Sequence, residues 1–139
     1  MFNAKIYTLI IGIIFIATLS FVYFKYIFKL AKIKKFIINS DKNIKRAYYT
    51  LKINKFKISD VNKIYKYKIS NEEGEIVNKV LIPIIVTKNK KNYAVFIQPD
   101  NEIIMPDENI IFTMLISKIK NCVIVIPENF TLKEFKLSF

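Results

Sequence analysis

The sequence predicts an α/β chain: an N-terminal transmembrane helix, then a small mixed sheet in the order helix, three-strand meander, helix, strand, strand. Three observations predict it. The 19 residues from Ile6 to Phe24 contain no charged residue, no Asn, Gln or Pro. Hydrophobic periodicity then changes from helical to twofold near Ser59 and Asp60. Finally, residues rich in turn and cap chemistry divide the rest of the chain into short segments. The expected organisation is an anchor with a basic collar over residues 1–38 and one α/β domain over 39–139.

Nineteen helical residues span roughly 28 Å, close to the ~30 Å hydrocarbon core of a bilayer. Backbone polar groups at that depth must bond within the segment, so the run is read as a spanning helix. Tyr7, Tyr23 and Tyr26 stand where rings favour the headgroup layer. A cleaved signal peptide fits less well, because its apolar region is normally ~7–15 residues and ends at small residues. This run exits into Phe-Val-Tyr-Phe-Lys. A buried core helix also fits less well, since ~100 further residues hardly cover a helix apolar on every side.

Tyr26 to Ile38 continues as a basic amphipathic collar, its lysine stems suited to snorkelling. Lys25, Lys29, Lys32, Lys34 and Lys35 follow the apolar run, against Lys5 alone before it. The positive-inside rule then places the N-terminus outside and the C-terminal domain in the cytoplasm. Ser40 or Asp41 caps a helix over roughly 42–54, with Ile44, Ala47, Tyr48, Leu51 and the stem of Lys55 on one stripe. Val61 to Ile69 alternates as a strand. Asn71 to Gly74 turns it, and Ile76 to Thr87 returns, with Pro83 marking an edge, a bulge or a break. Lys88 to Asn92 is a second turn, and Tyr93 to Gln98 a third strand. Pro99 to Asn109 reads as a loop. Ile110 to Lys120 reads as a helix presenting Ile111, Met114, Leu115 and Ile119. Cys122 to Ile126 is the kind of apolar strand buried on both faces, and Thr131 to Phe139 a terminal strand.

Composition bounds the chemistry. The chain of 139 residues has net charge +12, one Cys, two Gly and no His. No Ser/His/Asp set, no Cys/His metal site and no Gly-rich phosphate loop can be assembled from that inventory. Cys122, among Val and Ile, reads as a buried inert thiol. Residues 1–68 hold 15 Lys or Arg and two acids, whereas residues 69–139 hold eight Lys and nine acids. The basic half therefore suits anionic lipid headgroups or nucleic acid. Lys45, Arg46, Lys52, Lys55 and Lys57, interleaved with Tyr48, Tyr49 and Phe56 and followed by Lys63 to Lys68, form the candidate nucleic-acid surface. A solvated charged face is the alternative.

The stretch Ile84 to Gln98, IIVTKNKKNYAVFIQ, joined to the element order, resembles the restriction-endonuclease-like (PD-(D/E)xK) superfamily. The resemblance could cover residues 42–139, carried by apolar strands and a Lys/Asn turn. It implies a metal-binding Asp at position 83, a Glu at 96 and a Lys at 98, which together assist water attack on a phosphate. Here those positions are Pro83, Phe96 and Gln98. The resemblance therefore implies a nuclease-like domain without catalytic residues, metal or cofactor. A displaced site built on Asp100 and Glu102, or on Glu73 and Glu75, is the enzymatic alternative. The expected partners are anionic lipid, nucleic acid or an unidentified membrane protein. The expected role is a membrane-anchored binding or scaffold module.

Overall fold

The computed structural model describes residues 2–98 and 105–138. It has an N-terminal helix α1 (Phe2–Ile38), then α2 (Lys42–Ile53), strands β1 (Lys57–Asn71), β2 (Gly74–Lys88) and β3 (Lys91–Ile97), α3 (Glu108–Ser117), β4 (Asn121–Ile126) and β5 (Thr131–Lys136). This is the α/β class and element order expected. The chain divides into two compact units, residues 1–34 and 35–139.

The described residues of the first unit are helical throughout. The span Asn3–Ile38 has a mean hydropathy of 2.3 in its most apolar window, and none of that window is buried. It is long and apolar enough, by length and composition, to cross a membrane. Thr8 and Thr18 donate their hydroxyls to the carbonyls of Ala4 and Ile14 at 2.8 Å. These polar groups are thus satisfied within the helix, as an apolar surrounding requires.

The second unit is a five-stranded sheet in the order β1-β2-β3-β4-β5. β1, β2 and β3 form an antiparallel meander. The α3 crossover makes β4 parallel to β3, and β5 returns antiparallel. Asp41 caps α2, accepting from the Ile44 amide at 2.9 Å. Asp107 caps α3 in the same way, accepting from Ile110 at 2.8 Å. The β2–β3 turn places Asn89 and Lys90 at φ +53° and +64°, the mirror-image turn that matches strand twist. At the β1–β2 tip, the Asn71 carboxamide accepts from the amides of Glu73 and Gly74, and Gly74 takes φ +148°.

α2 and α3 cover opposite faces. Ala47 and Leu51 of α2 pack on Ile84, Val86, Val95, Val123 and Val125. Met114 of α3 packs on Ile82, Ile85, Ala94 and Cys122. β4 lies between them and is buried from Cys122 to Ile126, as its unbroken apolar run predicts. Phe36, expected in the collar, packs against the α2 cluster, so the last turn of α1 belongs to this second core.

Three details differ from expectation. Strand β2 runs straight through Pro83. The ladder passes from Val61↔Ile84 to Lys63↔Ile82, and the skipped position sets Pro83 opposite Asn62 at φ +49°. Proline has no N–H to donate, and the Asn62/Pro83 position is left out of the paired ladder. Beyond this step, Ile82 joins the α3 cluster although Ile84 joins the α2 cluster. Strict period two would keep them on one face. In α3 the buried residues are Thr113 and Met114, while Leu115 is 48% exposed. The helix ends at Ser117, with Lys118 left-handed at φ +61°, rather than continuing to Lys120. Lys55 lies outside α2, also left-handed and exposed, so its stem is not part of the stripe.

Candidate functional site

Of the positions implied by the nuclease resemblance, Pro83 lies on β2 and Phe96 on the neighbouring strand β3. The β2–β3 pairing stops at Ile84↔Val95, one residue short of both. Both are half-buried. Phe96 packs against the cluster of Met114 and Cys122, so this place is filled by hydrocarbon. Gln98 is just past β3, and its backbone N–H donates to the Val125 carbonyl at 2.9 Å. Neither Pro83 nor Phe96 can hold a cation, and the amide of Gln98 carries no charge. Asp100 and Glu102 lie outside the described residues. Glu73 and Glu75 are exposed at the β1–β2 tip. Among the described residues, no three His, Cys, Asp or Glu side chains are grouped to hold a metal ion.

Cys122 is fully buried, and burial pushes its thiol up to about 11. It stays protonated at neutral pH, the opposite of what a nucleophile requires. A cavity of about 240 Å³ beside α3, lined in part by Met114, Ile119 and Leu137, falls below the ~300–1,000 Å³ usual for small-molecule sites.

The basic candidates separate into two groups. Lys25, Lys29, Lys32, Lys34 and Lys35 are all exposed on α1. At 3.6 residues per turn, Lys25, Lys29 and Lys32 fall within roughly 60° of one another, with Lys34 on the other side. The collar is thus a stripe of three lysines, with Lys34 and Lys35 off it.

On α2 the buried stripe of Ala47, Thr50 and Leu51 leaves Lys45, Tyr49 and Lys52 at i, i+4 and i+7 on the opposite, solvent side. Arg46 lies beside them, its guanidinium 5.5 Å from the centre of the Phe130 ring. Tyr49 meets the same ring edge-on at 5.9 Å. Both rings are about half exposed. Lys55 and Lys57 lie on the segment leaving α2 and do not join this cluster. Phe130 is the residue that sequence reasoning missed. It sits in the β4–β5 turn at φ +55°, uncommon for a bulky side chain. Its one signal is an aromatic residue among turn formers, Pro127-Glu128-Asn129-Phe130. Farther along, Tyr65 and Tyr67 turn toward α3, where Tyr67 meets Phe112 edge-on at 5.3 Å. Those two rings are therefore packing residues, while Lys63, Lys66 and Lys68 stay exposed.

No family model, curated protein or solved structure matches this chain.

Proposed function

We propose that this is a single-pass membrane-anchored protein whose small α/β domain is nuclease-like in layout, lacks catalytic groups and works as a binding or scaffold module. The observation that carries the reading is α1, a continuous helix with an unburied apolar window and five lysines after it. The excess of lysine on that side supports an outside N-terminus and a cytoplasmic α/β domain. Support for the nuclease-like layout is the order helix, meander, helix, parallel strand.

In this reading the collar rests on anionic headgroups, each nearby lysine contributing about 1 kcal/mol. A peptide of residues 22–40 is expected to bind vesicles containing phosphatidylserine. Replacing Lys29, Lys32, Lys34 and Lys35 by Gln is expected to weaken that binding by on the order of 100-fold or more, with little change on neutral vesicles. Equal binding of both peptides to anionic vesicles removes the collar's role.

A second reading, membrane-tethered nucleic-acid binding, is favoured by the Arg46–Phe130–Tyr49 cluster beside Lys45 and Lys52. Exposed rings next to cations stack bases while the cations meet phosphates. The full chain in detergent is expected to bind single-stranded DNA with an affinity falling steeply between 50 and 200 mM salt. Phe130→Ala is expected to weaken that affinity by about 1–3 kcal/mol, the usual worth of one stacked base. Salt-insensitive or absent binding excludes this reading. Cleavage in the presence of Mn²⁺ overturns the catalytically inactive one.

A further inference from the structure

The β1–β2 hairpin is longer than the sheet it belongs to. β3 pairs with β2 only from Ile84 to Lys88, whereas the β1–β2 ladder continues to Asn71↔Gly74. Residues 63–71 and 74–82 thus form a two-stranded arm with no further described strand on either edge. Part of one face rests on α3 through Tyr65, Tyr67 and Ile82. The rest is uncovered, and Ile69 and Ile76, directly opposite each other, are 60% and 65% exposed. Val77, Ile64 and Leu81 are exposed as well, the last two forming another cross-strand pair. A two-stranded ribbon with unpaired edges and exposed branched residues is a ready template for another strand.

Charge on this arm is sorted along its length. The stem holds Lys66 directly across from Lys79, and Lys68 across from Val77. The tip holds Glu72, Glu73 and Glu75. Like charges directly opposite one another destabilise a ribbon unless an opposite charge reaches them. The row of Lys66 and Lys79 and the turn at Glu72 and Glu73 lie about equally far from the Ile69–Ile76 row, on either side of it. A twofold axis near that row therefore superposes the lysines of one copy on the glutamates of another.

We infer that the arm is a self-association surface that takes a second copy of this chain, two arms pairing antiparallel about an axis near Ile69 and Ile76. Pairing of the free β1 edges about Ile69 sets the stem lysines, Lys66 foremost, beside the other copy's tip glutamates, Glu72 foremost, on one face, and brings the Ile69–Ile76 rows of the two copies side by side on the other. The same surface patch serves both copies, as closed twofold symmetry demands. The acidic tip disfavours an anionic membrane or nucleic acid as the occupant, because three glutamates would face it. The inference rests on the arm alone and is independent of what the α/β domain binds.

The test uses the full chain in detergent micelles, with mass measured by sedimentation equilibrium. The wild-type protein is expected to dimerise. An acidic-arm variant (Lys66→Glu, Lys68→Glu, Lys79→Glu) and a basic-arm variant (Glu72→Lys, Glu73→Lys, Glu75→Lys) are each expected to dissociate, with dimer affinity lower by on the order of 100-fold. Mixed one to one, the two variants are expected to recover a heterodimer, captured through a tag on one of them. Recovery also shows that both variants are folded. A monomeric wild type, dimerisation unchanged in both variants, or no recovery on mixing overturns the inference. A monomeric wild type whose binding to phosphatidylserine nanodiscs falls in the acidic-arm variant alone assigns the lysines to lipid instead.

Discussion

Replacing Ile13 and Ile16 with Asp is expected to release the protein from carbonate-washed membranes into the supernatant. Both residues lie in the middle of the apolar run and are about 60% exposed along the helix surface. An Asp near a bilayer centre costs about 2.5–3.5 kcal/mol, while Ile contributes a few tenths favourably. Two exchanges therefore shift insertion by roughly 6–8 kcal/mol, enough to reverse it for a single helix. The same exchanges should leave the α/β unit untouched, because its core is drawn from residues 36–137. Near-unchanged thermal unfolding of that unit, alongside loss from the membrane fraction, is the combined outcome expected. Retention in the washed pellet with both aspartates present contradicts a spanning α1.

Leu51→Ala is expected to destabilise the α/β unit by about 2–5 kcal/mol, while Leu115→Ala costs less than about 1 kcal/mol. The two substitutions remove the same atoms from two helices and differ in burial. Leu51 is fully buried against the β2–β3–β4 face, whereas Leu115 is 48% exposed. In a unit of this size each kcal/mol moves the melting temperature by about 4–8 °C, so circular dichroism of residues 35–139 separates the variants readily. The comparison also settles which face of α3 is buried. A large loss at Leu115 supports the full face read from periodicity, whereas a small one, beside a large loss at Met114, keeps Met114 of that face and excludes Leu115.

That face shows where sequence reading runs out. In Ile110–Ile111–Phe112–Thr113–Met114–Leu115 nearly every position is apolar, so a 3.6-residue period selects no single stripe. α2 is the contrasting case. Its polar majority leaves Ile44, Ala47 and Leu51 as the evident stripe, and these residues do pack on the sheet. Asp41 was legible, beside Ser40, as the cap of α2 because a side-chain oxygen before a helical run can satisfy a helix's free amides locally. Phe130 was not legible as a partner of Arg46, because the two lie 84 residues apart and meet only when β5 closes the sheet.

The sequence by itself determined the elements and their order. A 19-residue uncharged run, two capped helices, turn residues between alternating segments and one unbroken apolar strand each follow from backbone bonding and local periodicity. Tertiary structure decided what these elements do to one another. It placed Pro83 opposite a left-handed Asn62, at a position left out of the ladder, and sent Ile82 and Ile84 to different cores. It joined Phe36 to the second unit's core and drew Arg46, Tyr49 and Phe130 together. It also left half of the β1–β2 hairpin beyond the reach of β3. These outcomes depend on register and on which residues distant in the chain share a face, and a local period carries neither.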